Sequence, residues 1–589
     1  MRILGLSAFY HQSACCLLED GRLTAAASEE RFSRLKHDSR LPVGAFRYCL
    51  EAAGVAIDQL DCIAYYEIPE LKLGRQLWSG LPGASDADLP WLDPRSPERW
   101  IREGLGFEGE ILVFPHHRSH AASAFFYSGF PEAAVFTADG VGEWATTTYG
   151  RGAGPELEIL EEIRFPHSLG LFYSTFTSYL GFAVNDGEYK VMGLAPYGRP
   201  RLAERLTRLL WTADDERFAL DLRYFDFLEG RRMFSPALQE LLGEPPRKPG
   251  EALRPFDFDL AASVQLVLEE ILLQKIDVLH ERVGGKNLCM AGGVALNCVA
   301  NGEILRRGPF ERLFVQPAAG DDGGCLGAAA LAHRRLAADG GAIEPLRHVY
   351  LGPRWRPEDV ARLLAATGLE ASDYRSREAD LLAAVVDRLE QRKIVGWFQG
   401  AMEFGPRALG ARSILANPLD PQVRDRLNRR IKQRESFRPF APSVLEEAAA
   451  EHFELDHASP FMLETCAVRS PLDLPGITHV DGSARPQTVG SHHPRYRRLL
   501  ETFHRRTGCP LLVNTSFNVA GEPIVCTPED ALSCLAAAGL DALVLEDFVI
   551  DAAALPAGWR ERVLAWRERD GGGSGSSGGG VREALYSFV

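Results

Sequence analysis

Between residues 262 and 297 the chain spells out one α/β unit, and no other stretch narrows its fold class as far. Val264, Val267, Leu268, Ile271, Leu272, Val278 and Leu279 recur at helical spacing, and Gly284-Gly285 stops the helix. A short apolar strand over 287–290 follows, then Gly292-Gly293, then a second helix from about Leu296. Open α/β sheets bind ligands at the carboxyl ends of their strands, so this glycine turn is a candidate phosphate or ribose site. Further strands are expected over 3–7, 14–18, 23–27 and 133–138, with Asp20-Gly21 as a hairpin turn. A chain of 589 residues is too long for one core. The linker-like Ala337-Ala338-Asp339-Gly340-Gly341 places a break near 345, so domains are expected over 1–345 and 346–570. The second should open with a helix over 380–391 and a strand over 394–398. Residues 571–580 are only Gly and Ser and read as a flexible tether to a tail at 581–589.

Charge and composition remove whole classes of function. A formal net charge of -15 excludes a general binder of nucleic acid or of a membrane surface. No apolar run approaches the roughly 20 residues that span a bilayer. The stretch Met1–Ser7 lacks a signal-peptide core, so a cytoplasmic protein is expected. The 11 cysteines are scattered without a CxxC pair, which favours buried reduced thiols over zinc or redox sites.

Several constellations in the first half are candidates to carry chemistry. His116 and His120 stand four apart in a helical run, which puts two imidazoles on one face. With Asp139 in a glycine loop they make a shell for a divalent metal of intermediate hardness, although such a pair alone is more often two half-buried polar side chains. Asp321 or Asp322, within Gly320–Gly324, adds a further carboxylate. His11 and Ser13 occupy a turn between strands. The run Glu29–Arg34 with Lys36 and His37 reads as a solvated helix face. The stretch from Asn185 to Gly198, with Glu188 and Lys190, is either a loop-to-helix ligand site or a glycine-rich structural turn. Trp78, Trp91 and Trp100 either line a pocket or simply pack. In the second half, Phe404–Gly410 and the bases Arg424, Arg426, Arg429, Arg430, Lys432, Arg434 and Arg438 form a cationic island in an acidic chain. Arginine forks beside a lysine point charge suit a small anionic substrate. Loops at 479–487 and 514–518 complete a pocket.

Taken in order from Ile3–His11 to Asn514–Asn518, these blocks resemble the nodulation-protein-U/cephalosporin O-carbamoyltransferase family. The resemblance spans nearly the whole chain and implies an α/β protein of two catalytic domains. The N-terminal one would have the actin-like ATPase fold related to tRNA threonylcarbamoyl transferases, and the C-terminal one a YrdC-like fold. It implies an O-carbamoyltransferase that uses ATP and carbamoyl phosphate, through a carbamoyl-adenylate, on a hydroxyl of a small antibiotic- or toxin-like metabolite. His116, His120, Asp139 and Asp321 match the metal ligands, for iron or another divalent ion, with magnesium accompanying ATP. Arg407, Lys432 and Arg438 match the residues that cradle carbamoyl phosphate and the adenylate, and His11 faces the transfer site as the group that activates the acceptor. The nucleotide-contacting set is Gly140, Glu188, Lys190, Gly292, Gly293 and Asn297, with Ser516 and Asn518 in the second half. A homodimer is the default assembly. Carbamoyl delivery to a protein thiol is the nearest rival, disfavoured by the missing CxxC sets and acylphosphatase-like module. A nucleotide-switched scaffold is the other, disfavoured because it has no use for the Arg/Lys pocket.

Overall fold

The computed structural model describes residues 1–80, 93–213, 217–228, 232–337 and 340–569. The tether and tail expected at 571–589, and Trp91, lie outside them. The chain forms two compact units. Of the described residues, one holds Met1–Glu29 and His37–Leu346, and the other holds Glu30–Lys36 and Arg347–Arg569.

In the first unit two five-stranded sheets share one topology. The first comprises β1 (Arg2–Ser7), β2 (Ala14–Glu19), β3 (Arg22–Ser28), β4 (Cys62–Tyr65) and β5 (Glu110–Val113), in the order β3-β2-β1-β4-β5. There β1, β2 and β3 pair antiparallel, while β1, β4 and β5 run parallel. After β6 (Glu132–Ala138), β7 (Ala145–Ala153) and β8 (Glu156–Arg164) comes a separate hairpin, β9 (Leu210–Ala213) with β10 (Arg217–Leu220). Then β11 (Asn287–Ala291) and β12 (Arg312–Val315) close the second sheet, in the order β12-β11-β6-β7-β8. Its directions repeat those of the first: β6, β7 and β8 antiparallel, β6, β11 and β12 parallel. The same strand order and strand directions thus occur twice in this unit.

The expected α/β unit is present, with a helix over Pro255–Val283, β11, a short helical turn and a helix over Cys298–Arg307. The helix His116–Ser128 is buried on nearly every side, Arg118 being exposed, as befits an element inside a core. It packs on the helix Gly324–Leu336. A Cβ on Gly327 would stand 1.8 Å from the Ser119 carbonyl oxygen, so only glycine lets the two backbones approach. That contact brings His116 and Asp321 to one end of a helix pair.

The second unit is built on a mixed eight-stranded sheet, with Val395–Phe398, Arg412–Ala416, Leu511–Ser516 and Ala441–Leu445 at its centre. Trp397, Leu415, Val513 and Val544 sit in its core, fully buried. The expected opening helix and strand lie at Glu378–Glu390 and Val395–Phe398. One sequence expectation fails here. The charge run after Glu29 is not a solvated face: Arg31 is 5% exposed and donates to the Gly405 carbonyl at 3.0 Å. Local charge density cannot reveal carbonyl acceptors that lie hundreds of residues away.

Candidate functional site

His116 opens its helix, so its N–H has no partner inside the helix. Glu143 supplies one: its Oε1 accepts the His116 N–H at 2.9 Å and the Ile68 N–H at 2.7 Å. The four-residue spacing then brings the two Nε2 atoms to 3.0 Å. Asp139, just past β6, places Oδ2 3.0 Å from His120 Nε2 and 3.4 Å from His116 Nε2. Asp321 Oδ1 lies 3.5 and 3.6 Å from the same nitrogens. All four donor atoms fall within 4.8 Å of one another. Asp321 is the aspartate of this pair that lies in the cluster, and Asp322 Oδ1 accepts the N–H of Gly323 at 3.1 Å.

This donor set fits a divalent cation. Two imidazole nitrogens and two carboxylate oxygens converge in a buried place, where their lone pairs repel unless positive charge sits among them. The electrostatics say the same. Burial works to lower the His120 pKa, but hydrogen bonds to Asp139 and Asp321 overcome it and push it up to about 9. Burial works to raise the Asp139 pKa, and its bonds to His116 and His120 hold it well below the usual carboxylate range. One feature departs from the usual metal site, in which each ligating histidine donates its far N–H to an acceptor. His116 Nδ1 and His120 Nδ1 are buried without a partner among the described residues. His117, between them in sequence, turns away to bond Thr137 Oγ1 at 2.7 Å.

The glycine turns serve this cluster. Asp139 Oδ1 accepts the N–H groups of Gly140 at 2.7 Å and Gly293 at 3.2 Å. Ser168 Oγ donates to the carbonyls of Asp139 at 2.9 Å and Gly140 at 2.6 Å. Gly292 has φ +92°, and a Cβ there would meet the Ala138 carbonyl oxygen at 2.2 Å. The turn that reads in sequence as a phosphate cradle is thus packed on the end of β6, with the Gly293 N–H engaged by a carboxylate.

His11 sits half-buried in the β1–β2 turn, and burial lowers its pKa, which leaves a neutral imidazole near pH 7. Its Nδ1 is 3.2 Å from Asn185 Nδ2. Glu188 holds that loop, accepting the Asn185 N–H at 3.1 Å and the Ser174 hydroxyl at 2.8 Å. Glu188 therefore reaches His11 through Asn185. Lys190 Nζ stands 5.5 Å over the Phe182 ring. Asn297 caps the helix Cys298–Arg307 through the Ala300 N–H at 3.1 Å, and its amide pairs both ways with Gln265. Those two are occupied with packing and capping. Nothing in the local sequence marks Glu143 or Ser168 for these roles, and only the long-range fold shows what they hold.

In the second unit Lys432 follows a π-helical turn, Leu427–Ile431. Its buried Nζ donates to Ser516 Oγ at 3.2 Å, Asn518 Oδ1 at 2.8 Å, and the carbonyls of Ser516 at 2.5 Å and Asn518 at 3.0 Å. Burial holds the Lys432 pKa well below its ordinary value, and the positive charges of Arg434 and Arg438 lower it further. Among the described residues, each hydrogen-bond partner of this amine is a neutral oxygen. Arg407 is half-buried in a loop gathered by Glu403, whose Oε1 accepts the N–H groups of Leu409, Ala411 and Arg412 at 2.7, 2.7 and 3.2 Å. Gln487 and Asn514, expected to complete a pocket, form an amide pair at 3.0 Å inside the sheet. No helix among the described residues is long and apolar enough to cross a membrane.

Two family models match: carbamoyltransferase N-terminus over residues 2–77 and 104–330, and carbamoyltransferase C-terminus over 386–552. An uncharacterized protein of Synechocystis is 45% identical, over 96% of this chain and 99% of its own. Nodulation protein NolNO of Sinorhizobium fredii is 40% identical, over 95% and 81%. The 3'-hydroxymethylcephem-O-carbamoyltransferase of Amycolatopsis lactamdurans is 36% identical, over 46% of this chain and 49% of its own. The donor cluster, the cationic island and these matches lead to one conclusion: the chain belongs to the carbamoyltransferase family, of the nodulation-protein-U and cephem O-carbamoyltransferase type, and is a carbamoyltransferase.

Proposed function

We propose that the protein is an O-carbamoyltransferase that consumes ATP and carbamoyl phosphate, works through a carbamoyl-adenylate, and carbamoylates a hydroxyl of a small secondary metabolite. The observation that carries the donor half is Lys432, a buried amine whose hydrogen-bond partners among the described residues are all neutral oxygens. Such a charge is costly until an anion joins it, and phosphate oxygens are the natural complement. Arg407 and Arg438 add fork donors at the same island, so the C-terminal unit is assigned adenylate formation on a YrdC-like fold. Water takes the carbamoyl phosphate to carbamate and inorganic phosphate. A carbamate oxygen then attacks the α-phosphate of ATP, and pyrophosphate leaves. Positioning and charge neutralisation are what phosphoryl chemistry needs from a protein.

The N-terminal unit is assigned the transfer. His116, His120, Asp139 and Asp321 would hold a divalent ion, iron or another, which would supply Lewis-acid polarisation and charge neutralisation. The acceptor hydroxyl oxygen bonds to the carbamoyl carbon, AMP leaves, and the neutral His11 imidazole takes the proton. Asn185 and Glu188 fix the His11 ring. The test is to incubate the purified protein with ATP and carbamoyl phosphate and look for carbamoyl-adenylate by mass spectrometry. Its formation is expected. ATP cleavage that is indifferent to carbamoyl phosphate would refute the proposal.

A further inference from the structure

The short segment Glu30–Lys36 belongs to the second unit although it ends 311 positions before Arg347, where the rest of that unit begins. We infer that this segment is a positioning strap for the carbamoyl-phosphate site, with Arg31 and Arg34 each setting one of the two loops that carry its anion-holding residues. The inference rests on the functional assignment of Arg407, Lys432 and Asn518 made above.

Arg31 is 5% exposed, and its Nη2 donates to the Gly405 carbonyl at 3.0 Å. That carbonyl belongs to the peptide joining Gly405 to Pro406, immediately before Arg407, so its direction sets how the chain enters the arginine. Glu30 pairs with the other side of the guanidinium at 2.8 Å and keeps it aimed.

Arg34 grips the second loop with two nitrogens. Nη1 donates to the Ile524 carbonyl at 2.7 Å and Nη2 to the Pro523 carbonyl at 2.9 Å, with Asp530 3.6 Å from its Nε. The preceding carbonyl, that of Glu522, accepts from Asn518 Nδ2 at 2.7 Å. Asn518 Oδ1 in turn accepts from Lys432 Nζ at 2.8 Å. Three successive carbonyls thus connect Arg34 to the Lys432 ammonium. Between the two arginines, Phe32 packs on Met402 and Ala408 of one loop and on Ile524 and Cys526 of the other. Arg34 itself holds φ +59°, an uncommon conformation for a residue with a side chain, and the strap tolerates it.

Neither arginine touches the reacting atoms on this reading; both act through loop geometry. The test uses the full chain and measures carbamoyl-phosphate-dependent ATP–pyrophosphate exchange in Arg31→Met, Arg34→Met, Arg31→Lys and Arg34→Lys. Both methionine variants should raise the KM for carbamoyl phosphate about tenfold or more, as expected on losing charge-assisted hydrogen bonds that orient the site. The KM for ATP should move less. Lysine should restore most of the loss at position 31, where one carbonyl is held, and little at position 34, where two are held by a fork. If the variants melt earlier but keep the wild-type KM, or if lysine rescues both positions equally, the strap is only structural and the inference fails. A wild-type protein without carbamoyl-phosphate-dependent exchange overturns the functional assignment instead.

Discussion

Lys432 and the His116–His120 pair are opposite cases of one physical rule: a buried charge must be answered. Among the described residues Lys432 is answered only by neutral oxygens, so Lys432→Met should lower carbamoyl-phosphate-dependent exchange by at least about a hundredfold while the protein still folds. His457 gives a pH-dependent case outside the sites. Hydrogen bonds to Glu464, and to Asp456 beyond it, raise its pKa to about 9, against partial burial. A raised histidine pKa stabilises the fold fully below the unfolded value near 6.5, and that stabilisation is lost as pH rises through 9. The melting temperature of His457→Gln should therefore fall below wild type by most at about pH 6, with the gap closing by about pH 10. A gap that widens with pH would contradict the pairing. At this scale the sequence speaks where spacing is local. His116 and His120 share a face because the helix period is 3.6, whereas Asp321 and Asp322 are separated only by which way the turn points.

Single elements carry the geometry of the metal donors. The turn after β11 supports Asp139 through Gly293, and Gly292 lies against β6 where no Cβ fits. Gly292→Ala should cost about 1–3 kcal/mol in chemical denaturation and weaken divalent-metal binding by calorimetry, because Asp139 must shift. Loss of stability with unchanged metal affinity would detach the turn from the site. Thr527 caps the helix Pro528–Ala538 in a capping box with Asp530, so Thr527→Ala should cost about 1 kcal/mol of stability by the same method. Elements such as β1, β2, the hairpin at Asp20-Gly21 and the helix Pro255–Val283 were legible from apolar periodicity and turn residues. Their partners were not. β6 pairs with β11 across 150 residues, so the repeated sheet topology leaves no mark in local sequence. The strap at Glu30–Lys36 was misread for the same reason, since its acceptors are main-chain carbonyls, which no residue type announces.

At the scale of the whole molecule, the proposed function divides two chemistries between two separately built units, each with its own buried charge to neutralise. A chain that makes a hydrolysable mixed anhydride and then transfers it should be separable by mutation into its two steps. The most direct measurement is a side-by-side assay of Lys432→Ala and His120→Ala in the full chain. Carbamoyl-phosphate-dependent ATP–pyrophosphate exchange reports the first step, and carbamoylation of a hydroxyl acceptor reports the second. Lys432→Ala should lose both. His120→Ala should keep exchange near the wild-type rate and lose transfer together with the bound divalent metal. Equal loss of exchange in both variants would show that the metal cluster serves adenylate formation as well, and the division of labour between the units would fall.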